Sequence, residues 1–308
     1  MAYAPAALTA AEIAGFANDK PMMVVQQLLT PGTALWSANG TTGGTNKTDE
    51  NYPITRAYDD IGSLQSRSDS ETVSHRYLVF DLGSGNEISF DTCLILNHNL
   101  NSAVFTSVAL EISNDDFSSE IEIYKYTVSG TSDDRLLCMN LNSAGGSSTY
   151  DPSGTAQRYS GVRYVRLKII DDASDALACG IGELVLGTRY QLQRNPDLNW
   201  NNKNELSKVT DFASFTGLTK RYVFYRGQAV RSVAMGMSDS AEIAVVDNWF
   251  NDINEGTRPF VWIDTPSSGA EARLMLLDDA ALNFPLVGPY ERTLQFSVAE
   301  QPPFLSRE

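Results

Sequence analysis

The residues that could carry covalent catalysis are few and lie outside recognisable motifs. A nucleophile and its base would have to come from Cys93 or a serine together with His75 or His98. His98 lies between two asparagines at the end of an apolar run, where a hydrogen-bonding role at a strand end is the simpler interpretation. His75 precedes an arginine, as is typical of a surface position. We therefore expect no catalytic residue of this kind.

Adjacent aspartates are the other candidates for chemistry, because glycoside cleavage needs two carboxylates that flank the scissile bond. Side chains of adjacent strand residues point to opposite faces, and aspartates in loops support turns. These pairs therefore indicate turns or, at most, calcium ligands, and we predict that the chain is not an enzyme. The pairs are Asp115-Asp116, Asp133-Asp134, Asp171-Asp172 and Asp278-Asp279.

Composition excludes several classes of partner. The net charge of -15 disfavours nucleic acid, and no apolar run approaches the ~18 residues of a membrane helix. Cys93, Cys138 and Cys179 are an odd number without CxxC spacing, which predicts neither a disulfide framework nor a zinc site. We expect synthesis in a host cytoplasm and no membrane insertion, because no signal peptide is recognisable at the N-terminus.

The elements that must position a site are mostly strands. Residues 33–69 and 142–154 are rich in Gly, Ser, Thr, Asn and Asp, which predicts long loops. Between and after them come short runs that alternate apolar and polar residues, which is typical of antiparallel strands with one buried face. A capping box at Thr9 to Glu12 predicts a short helix in an N-terminal arm, residues 1–32. Met22 to Val25 is apolar enough to contribute a strand to the C-terminal domain.

Five segments in residues 33–190 together resemble the galactose-binding-like jelly roll of discoidin domains and many carbohydrate-binding modules. That resemblance implies a β-sandwich whose loops bind ligands. The segments are Ala57 to Asp60, Tyr77 to Gly83, Leu110 to Asp115, Arg163 to Leu167 and Ile181 to Gly187.

The resemblance also implies two sets of site residues. A structural calcium ion would be held by Asp59 or Asp60 with Glu183, although the family usually has glycine where this chain has Asp60. No other cofactor is expected. Exposed aromatic side chains that could stack on sugar rings are Trp36, Tyr52, Tyr58 and Tyr150; the alternative for Trp36 and Tyr58 is a place in the core.

Residues 191–308 predict a second β-sandwich or barrel domain with one packed helix. The helix, at about 239–255, is indicated by the apolar spacing of Ile243, Val246, Trp249, Phe250 and Ile253 before Gly256. This order of strands, helix and strands resembles the tube and hub domains of bacteriophage tails. Trp200, among asparagines before the strands, is a candidate for a subunit interface or for a plug between the domains.

Together these features predict a mainly β structural protein of a phage tail tip, of the distal-tail or minor-tail type. It would form a ring of three or six copies around the tail channel, contact tube and hub proteins, and carry a jelly roll that binds a host-surface glycan. Its location would be the virion. The alternative is a secreted or cell-surface carbohydrate-binding protein.

Overall fold

The computed structural model describes residues 2–3, 21–28, 30–59, 65–70, 73–100, 104–128, 135–140, 159–171, 178–192, 204–213, 219–237, 240–263, 272–277 and 292–300. Within these ranges the chain is mainly β with one α-helix, which confirms the predicted fold class. It divides into two compact units, unit 1 (Met1–Gln191 with Ile263–Ala272) and unit 2 (Leu192–Trp262 with Arg273–Glu308). The helix predicted after Thr9 lies outside the described residues. No described helix has the length and hydropathy to cross a membrane.

The strands of unit 1 belong to two main sheets and one separate pair. A 3-10 helix at Ile54–Ala57 interrupts the first long loop. The strands are β1 Ala2–Tyr3, β2 Met22–Gln26, β3 Thr33–Ser37, β4 Ser66–Arg67, β5 His75–Asp81, β6 Ile88–Phe90, β7 Thr92–His98, β8 Phe105–Ser113, β9 Ile121–Thr127, β10 Arg135–Asn140, β11 Tyr159–Val162, β12 Tyr164–Asp171 and β13 Gly180–Gln191.

The two sheets give unit 1 its jelly-roll topology. The first sheet has the order β1-β9-β8-β12-β5-β3, antiparallel except for the β1–β9 pair. The second contains β10-β7-β13-β2 in order, with β4 also paired to β13, all antiparallel. The apolar run Met22 to Val25 thus forms β2. The strands β6 and β11 make a separate pair.

The core of unit 1 lies between these sheets because each strand turns its apolar alternate residues inward. In β5, Leu78 and Phe80 face the core, and in β12, Val165, Leu167 and Ile169 do the same. The facing sheet contributes side chains of β7 and β13. The opposite face of the first sheet carries a smaller buried cluster of Leu35, Val79, Phe117 and Tyr164.

Unit 2 is a sheet with one helix packed on it. Its strands, in the order β16-β17-β18-β15-β14, are β14 Asn204–Ala213, β15 Thr219–Met237, β16 Phe260–Ile263, β17 Ala272–Leu277 and β18 Arg292–Glu300, and α1 is Ser240–Asp252. The helix buries Trp249, whose ring centroid lies 5.0 Å from that of Phe260 and 5.2 Å from that of Phe296. Gly256, with φ +88°, follows the helix in the left-handed region that glycine favours.

Candidate functional site

A pocket opens in unit 1 where β3 ends and β5 begins. Its volume is about 50 Å³, well below the roughly 300–1,000 Å³ of most small-ligand sites, so a ligand would lie largely over the surface. We call it the Tyr77 pocket. Its lining combines one edge of the first sheet with the loop segments around residues 47 and 69, and consists of Trp36, Ser37, Ala38, Lys47, Ser68, Asp69, Val73, His75, Arg76 and Tyr77.

Two aromatic rings form one side of the pocket. His75 and Tyr77 are two residues apart on β5, so both point away from the core. Their rings are stacked, with centroids 6.1 Å apart and planes 9° apart. The hydroxyl oxygen of Ser74 lies 2.8 Å from Nδ1 of His75 and helps to fix the imidazole ring. Both rings are half-buried, which leaves part of this aromatic surface open to a ligand.

The ring of Tyr77 is held from behind by the loop after β3. Gly40 has φ +78°, and a Cβ atom there would lie 2.9 Å from Cδ1 of Tyr77. The guanidinium of Arg166 lies 5.2 Å from the centroid of the Tyr77 ring. Only glycine at position 40 allows this backbone both its left-handed conformation and its approach to the ring.

An ion pair lies at the mouth of the pocket. Nζ of Lys47 is 3.4 Å from Oδ2 of Asp69, and the two side chains are 27% and 36% exposed. Main-chain hydrogen bonds fix both residues, because the Asp69 amide donates to the Lys47 carbonyl at 2.6 Å and the Lys47 amide donates to Trp36 at 2.6 Å. The pocket therefore presents a cation and an anion beside an aromatic surface.

A second ion pair lies behind the pocket. Arg76 turns inward from β5, its guanidinium carbon 5.9 Å from the ring centroid of Phe105, and pairs with Asp171; both side chains are buried. Nearby, burial raises the pKa of the Cys179 thiol to about 12, an effect that Arg76 opposes and Asp171 reinforces. The Cys179 thiol is thus kept in its unreactive neutral form.

The loop that contains Gly40 is tied to the outer face of the first sheet. Arg166 on β12 pairs with Glu111 on β8 and donates from Nη1 to the Gly40 carbonyl at 2.8 Å. The Thr42 amide donates to Oδ1 of Asp116 at 2.9 Å. These contacts hold the pocket wall in place without using the pocket's own side chains.

The four aromatic residues predicted to stack on sugars have different surroundings. Trp36 is only 1% exposed and donates from Nε1 to Oγ of Ser66 at 3.0 Å. It therefore lies in the core, which is the alternative predicted for it, and is not an exposed stacking residue. Its ring faces are not open, although it contributes to the pocket floor. Tyr150 lies outside the described residues.

Neither Tyr52 nor Tyr58 lines the Tyr77 pocket. The guanidinium carbon of Arg67 lies 4.3 Å from the centroid of the half-buried Tyr52 ring. Tyr58 packs against the core with its ring edge-on to Phe80, centroids 6.0 Å apart. Burial, followed by the charge of Asp59, raises the pKa of Tyr58.

The predicted calcium ligands are described only in part. Asp59 is half-buried, Asp60 lies outside the described residues, and Glu183 is fully buried on β13. Nε2 of Gln26 donates to Oε1 of Glu183 at 3.3 Å. Across the described ranges, no group of three or more His, Cys, Asp or Glu side chains is placed to hold a metal ion. Trp200, the predicted interface residue, also lies outside those ranges.

The sequence interpretation did not identify the residues that the pocket brings together. The arginine after His75 predicts a surface position for that residue, and no motif in the sequence marks Lys47, Asp69 or Tyr77 as site residues. The alternation of β5 is a signal that places His75 and Tyr77 on one face. The approach of Lys47 to Asp69 depends on pairing between two loop segments, seen in the bridge between Thr48 and Ser68, and no sequence pattern indicates it.

Comparisons with known proteins give partial similarities. No protein-family profile and no curated protein matches the chain. The CBM32 of AlyQ in complex with 4,5-unsaturated mannuronic acid is similar at 19% identity, over 51% of this chain and 95% of that one, with a TM-score of 0.34. Chitosan-binding module 1 of a Paenibacillus sp. IK-5 chitosanase/glucanase is similar at 17% identity, over 53% and 98%, with a TM-score of 0.35.

A Ruminococcus gnavus GH29 fucosidase in complex with fucose is also similar, at 14% identity over 44% of this chain, with a TM-score of 0.31. The match spans only 22% of the fucosidase's length. Likeness at these levels does not identify a ligand, which has to follow from the residues of the pocket.

Proposed function

We propose that unit 1 is a carbohydrate-binding module whose ligand site is the Tyr77 pocket. Carbohydrate binding, which the sequence predicts as the alternative to a phage-tail role, is thus the main function proposed. The main support for this function is that the stacked rings of His75 and Tyr77 line the same small pocket as the ion pair of Lys47 and Asp69.

A sugar ring has the surface that such a pocket complements. One face of a pyranose exposes C–H groups, which pack against an aromatic ring, while its edge carries hydroxyl groups. Lys47 supplies hydrogen-bond donors and Asp69 supplies acceptors, so the two together can bind neighbouring hydroxyls. The pocket volume of about 50 Å³ admits only part of one sugar ring, so the rest of the ligand would lie on the surface beside it.

The proposed role is binding without turnover. Among the described lining residues Asp69 provides the single carboxylate, whereas glycoside hydrolysis generally uses two carboxylates about 5–10 Å apart. The contact between Ser74 and His75 joins neighbours in sequence at the start of a strand and serves to orient the imidazole. The buried thiol of Cys179, with its raised pKa, is no nucleophile.

The test is binding of the full chain to a broad glycan panel, followed by calorimetry on the best ligand. We expect Tyr77→Ala and His75→Ala each to lower the affinity at least tenfold. Tyr159→Ala, which removes a half-buried tyrosine of β11, is the matched control and leaves the affinity unchanged. Thermal unfolding shows whether each variant is folded. Folded Tyr77 and His75 variants that bind as the parent does would refute the pocket assignment.

A second proposal concerns unit 2 and the phage-tail hypothesis. We propose that unit 2 mediates self-association into a ring of three or six copies, as a tail-tip protein in the virion would, with tube and hub proteins as neighbours. A two-stranded ribbon among the described strands favours this proposal. In it, β15 pairs with β14 from Thr219 to Val230, whereas β18 pairs with β15 from Val230 to Met237.

The ribbon extends beyond its own sheet by roughly 35 Å at the usual rise per residue. A two-stranded ribbon has little stability of its own in water, which favours a partner along its edges. Light scattering behind a sizing column gives the mass in solution, and negative-stain images show the symmetry of any large species. A protein that stays monomeric at high concentration and does not bind purified tube and hub proteins would contradict this proposal.

A further inference from the structure

Two loop segments beside the Tyr77 pocket pair with each other as an antiparallel ladder. The bridge joins Thr48 to Ser68, and a main-chain hydrogen bond flanks it on each side. We call the paired segments, residues 47–49 and 67–69, the loop ladder. Oγ1 of Thr48 accepts from an amide of β3 at 3.2 Å, and Oγ of Ser68 accepts from the amide that precedes β13 at 3.0 Å. The inner face of the loop ladder is therefore anchored to the sandwich.

The outer face of the loop ladder repeats a donor beside an acceptor. Residues opposite each other in an antiparallel pair share a face, and so do residues two apart along one segment. Lys47 lies opposite Asp69, and Asp49 lies opposite Arg67. The first pair lines the Tyr77 pocket, and the second lies about 7 Å farther along the segments. All four side chains are half-buried, so this row continues the pocket across the surface.

The guanidinium of Arg67 is held in place by its neighbours. Its carbon atom lies 4.3 Å from the ring centroid of Tyr52, and its Nε and Nη2 donate to Oε1 of Gln65 at 3.2 and 3.1 Å. Nε2 of Gln65 donates in turn to the carbonyl oxygen of Asn97 at 3.0 Å. Gly180 leaves room for this arrangement, because a Cβ atom there would lie 2.5 Å from Oε1 of Gln65. A guanidinium has five N–H groups, so Arg67 keeps donors for a ligand.

The role of Tyr52 in this arrangement is to position Arg67. The guanidinium carbons of both Arg67 and Arg56 lie over its ring, at 4.3 and 5.7 Å from the centroid. The ring is thus engaged by arginines, and the groups that face a ligand are the guanidinium of Arg67 and the carboxylate of Asp49. Oδ1 of Asp49 accepts from the Asn51 amide at 2.9 Å, and a carboxylate has further acceptor sites.

The charges of this outer face are balanced. Its four side chains are two cations and two anions, so it favours groups that both donate and accept, as sugar hydroxyls do. An ionic ligand of either sign would be attracted by one member of each pair and repelled by the other. The pocket of about 50 Å³ holds only part of one sugar ring, so further contacts have to come from the surface beside it.

We infer that the ligand is a chain of linked neutral sugars that continues from the Tyr77 pocket across the outer face of the loop ladder. This inference rests on the proposed carbohydrate-binding function and extends its site. One sugar residue packs in the Tyr77 pocket beside Lys47 and Asp69. A later residue of the same chain binds Arg67 and Asp49 through its hydroxyls.

Linkage between the sugars makes the second contact count. Once one residue is bound, the next is held near Arg67 at a high effective concentration. Hydrogen bonds to charged groups are about twice as strong as neutral ones, and here both partners of the sugar hydroxyls are charged. An oligosaccharide that reaches both pairs should therefore bind at least about tenfold more tightly than a single sugar.

The experiment measures affinity against ligand length on the full chain, by calorimetry. The probes are series of one to six residues of β-linked glucose, xylose, mannose and N-acetylglucosamine. In one of these series we expect the affinity to rise at least about tenfold between one and four residues and then to level off. Tyr77→Ala should lower the affinity for ligands of every length.

Three variants locate the gain. Arg67→Met should remove it and change the affinity for the shortest ligand that binds by less than about twofold. Arg163→Met is the matched control and should keep the gain, because this half-buried arginine also lies beside a tyrosine ring, 4.6 Å from the centroid of Tyr164, but outside the pocket and the loop ladder. Asp49→Asn, on the opposite segment, should reduce the gain. Thermal unfolding shows whether each variant is folded.

The outcomes separate this inference from the proposed function. Equal affinity for all lengths, still abolished by Tyr77→Ala, would overturn the extended site and leave the pocket. A gain that persists in folded Arg67→Met and Asp49→Asn proteins, or equal losses for short and long ligands in Arg67→Met, would overturn the role of the loop ladder. Binding of acidic sugars alone would overturn the neutral ligand. No binding to these series or to the broad glycan panel would overturn both proposals.

Discussion

Arg166 donates from Nη1 to the carbonyl oxygen of Gly40 at 2.8 Å, and so joins the outer face of the first sheet to the loop behind the Tyr77 ring. The same guanidinium pairs with Glu111 and lies 4.3 Å from the ring centroid of Phe117. One buried side chain thus connects β8, β12 and two loops. The pocket wall depends on a residue that does not line the pocket.

Removal of this guanidinium should destabilise unit 1 and loosen the pocket. We expect Arg166→Met to lower the free energy of unfolding by about 3 kcal/mol, because the buried Glu111 then has the more exposed Lys168, 3.6 Å away, as its ion-pair partner. The control is Arg163→Met, which breaks the more exposed pair with Asp81 and should cost clearly less stability. Urea unfolding measures both, and equal losses in the two variants would contradict the role given to Arg166.

Gly40 should tolerate no side chain. We expect Gly40→Ala to cost about 1 kcal/mol or more from its left-handed backbone, and to displace the Tyr77 ring. Gly43 in the same loop has nothing within 4 Å of an added Cβ, so Gly43→Ala is the matched control. Ligand affinity should fall in Gly40→Ala and stay unchanged in Gly43→Ala. A Gly40→Ala protein with normal affinity would show that the loop does not position Tyr77.

The indole of Trp36 should contribute through one buried hydrogen bond. We expect Trp36→Phe and Ser66→Ala each to lower the free energy of unfolding by about 1–3 kcal/mol, because each leaves a buried polar group without its partner. The double variant should lose less than the sum of the two, and urea unfolding of all four proteins completes the cycle. Strict additivity would mean that this hydrogen bond does not contribute to stability.

Stability in acid should depend on Asp81. Hydrogen bonds from Arg163 hold the pKa of Asp81 below its usual value of 3.8. A depressed pKa in the folded state stabilises the protein above the pKa of the unfolded chain, and this contribution is lost as the pH falls through the folded value. Urea unfolding between pH 6 and about 2 should show the loss below roughly pH 4, and a shallower one in Asp81→Asn. Parallel curves for the two proteins would rule Asp81 out as the titrating group.

The thiol of Cys179 should resist alkylation in the native protein. Its burial and its pKa of about 12 leave almost no thiolate near neutral pH. We expect iodoacetamide at pH 8 to leave Cys179 unmodified for hours and to label it at once in urea, with peptide mass spectrometry as the readout. Rapid labelling without denaturant would show that this end of the sandwich opens.

Periodicity predicted much of this fold, because it reflects which side of each strand is buried. The apolar run Tyr77 to Phe80 and the aromatic and β-branched residues in Arg163 to Leu167 indicate β5 and β12, and the apolar spacing from Ile243 to Ile253 indicates α1. Met22 to Val25, considered as a strand, forms β2 beside β13. These elements are predictable because each depends on the pattern of apolar residues within its own segment.

The site could not be predicted in the same way. Trp36 looks available for stacking in a polar stretch, yet its register opposite Leu78 turns it into the core. Lys47 and Asp69 are far apart in sequence and meet only because two irregular loop segments pair. Position in an irregular loop follows from tertiary contacts, such as that between Thr42 and Asp116, and leaves no periodic pattern.

The separation between the residues that support the loop and those at its mouth has a consequence for adaptation. Arg166, Glu111 and Asp116 fix the backbone of the loop from the sheet side, whereas Lys47, Asp69 and His75 face the opening. Substitutions at the mouth should therefore leave the backbone of the loop in place. If the pocket is the ligand site proposed above, changes of these three side chains should alter which ligand the unit prefers while the loop backbone keeps its position.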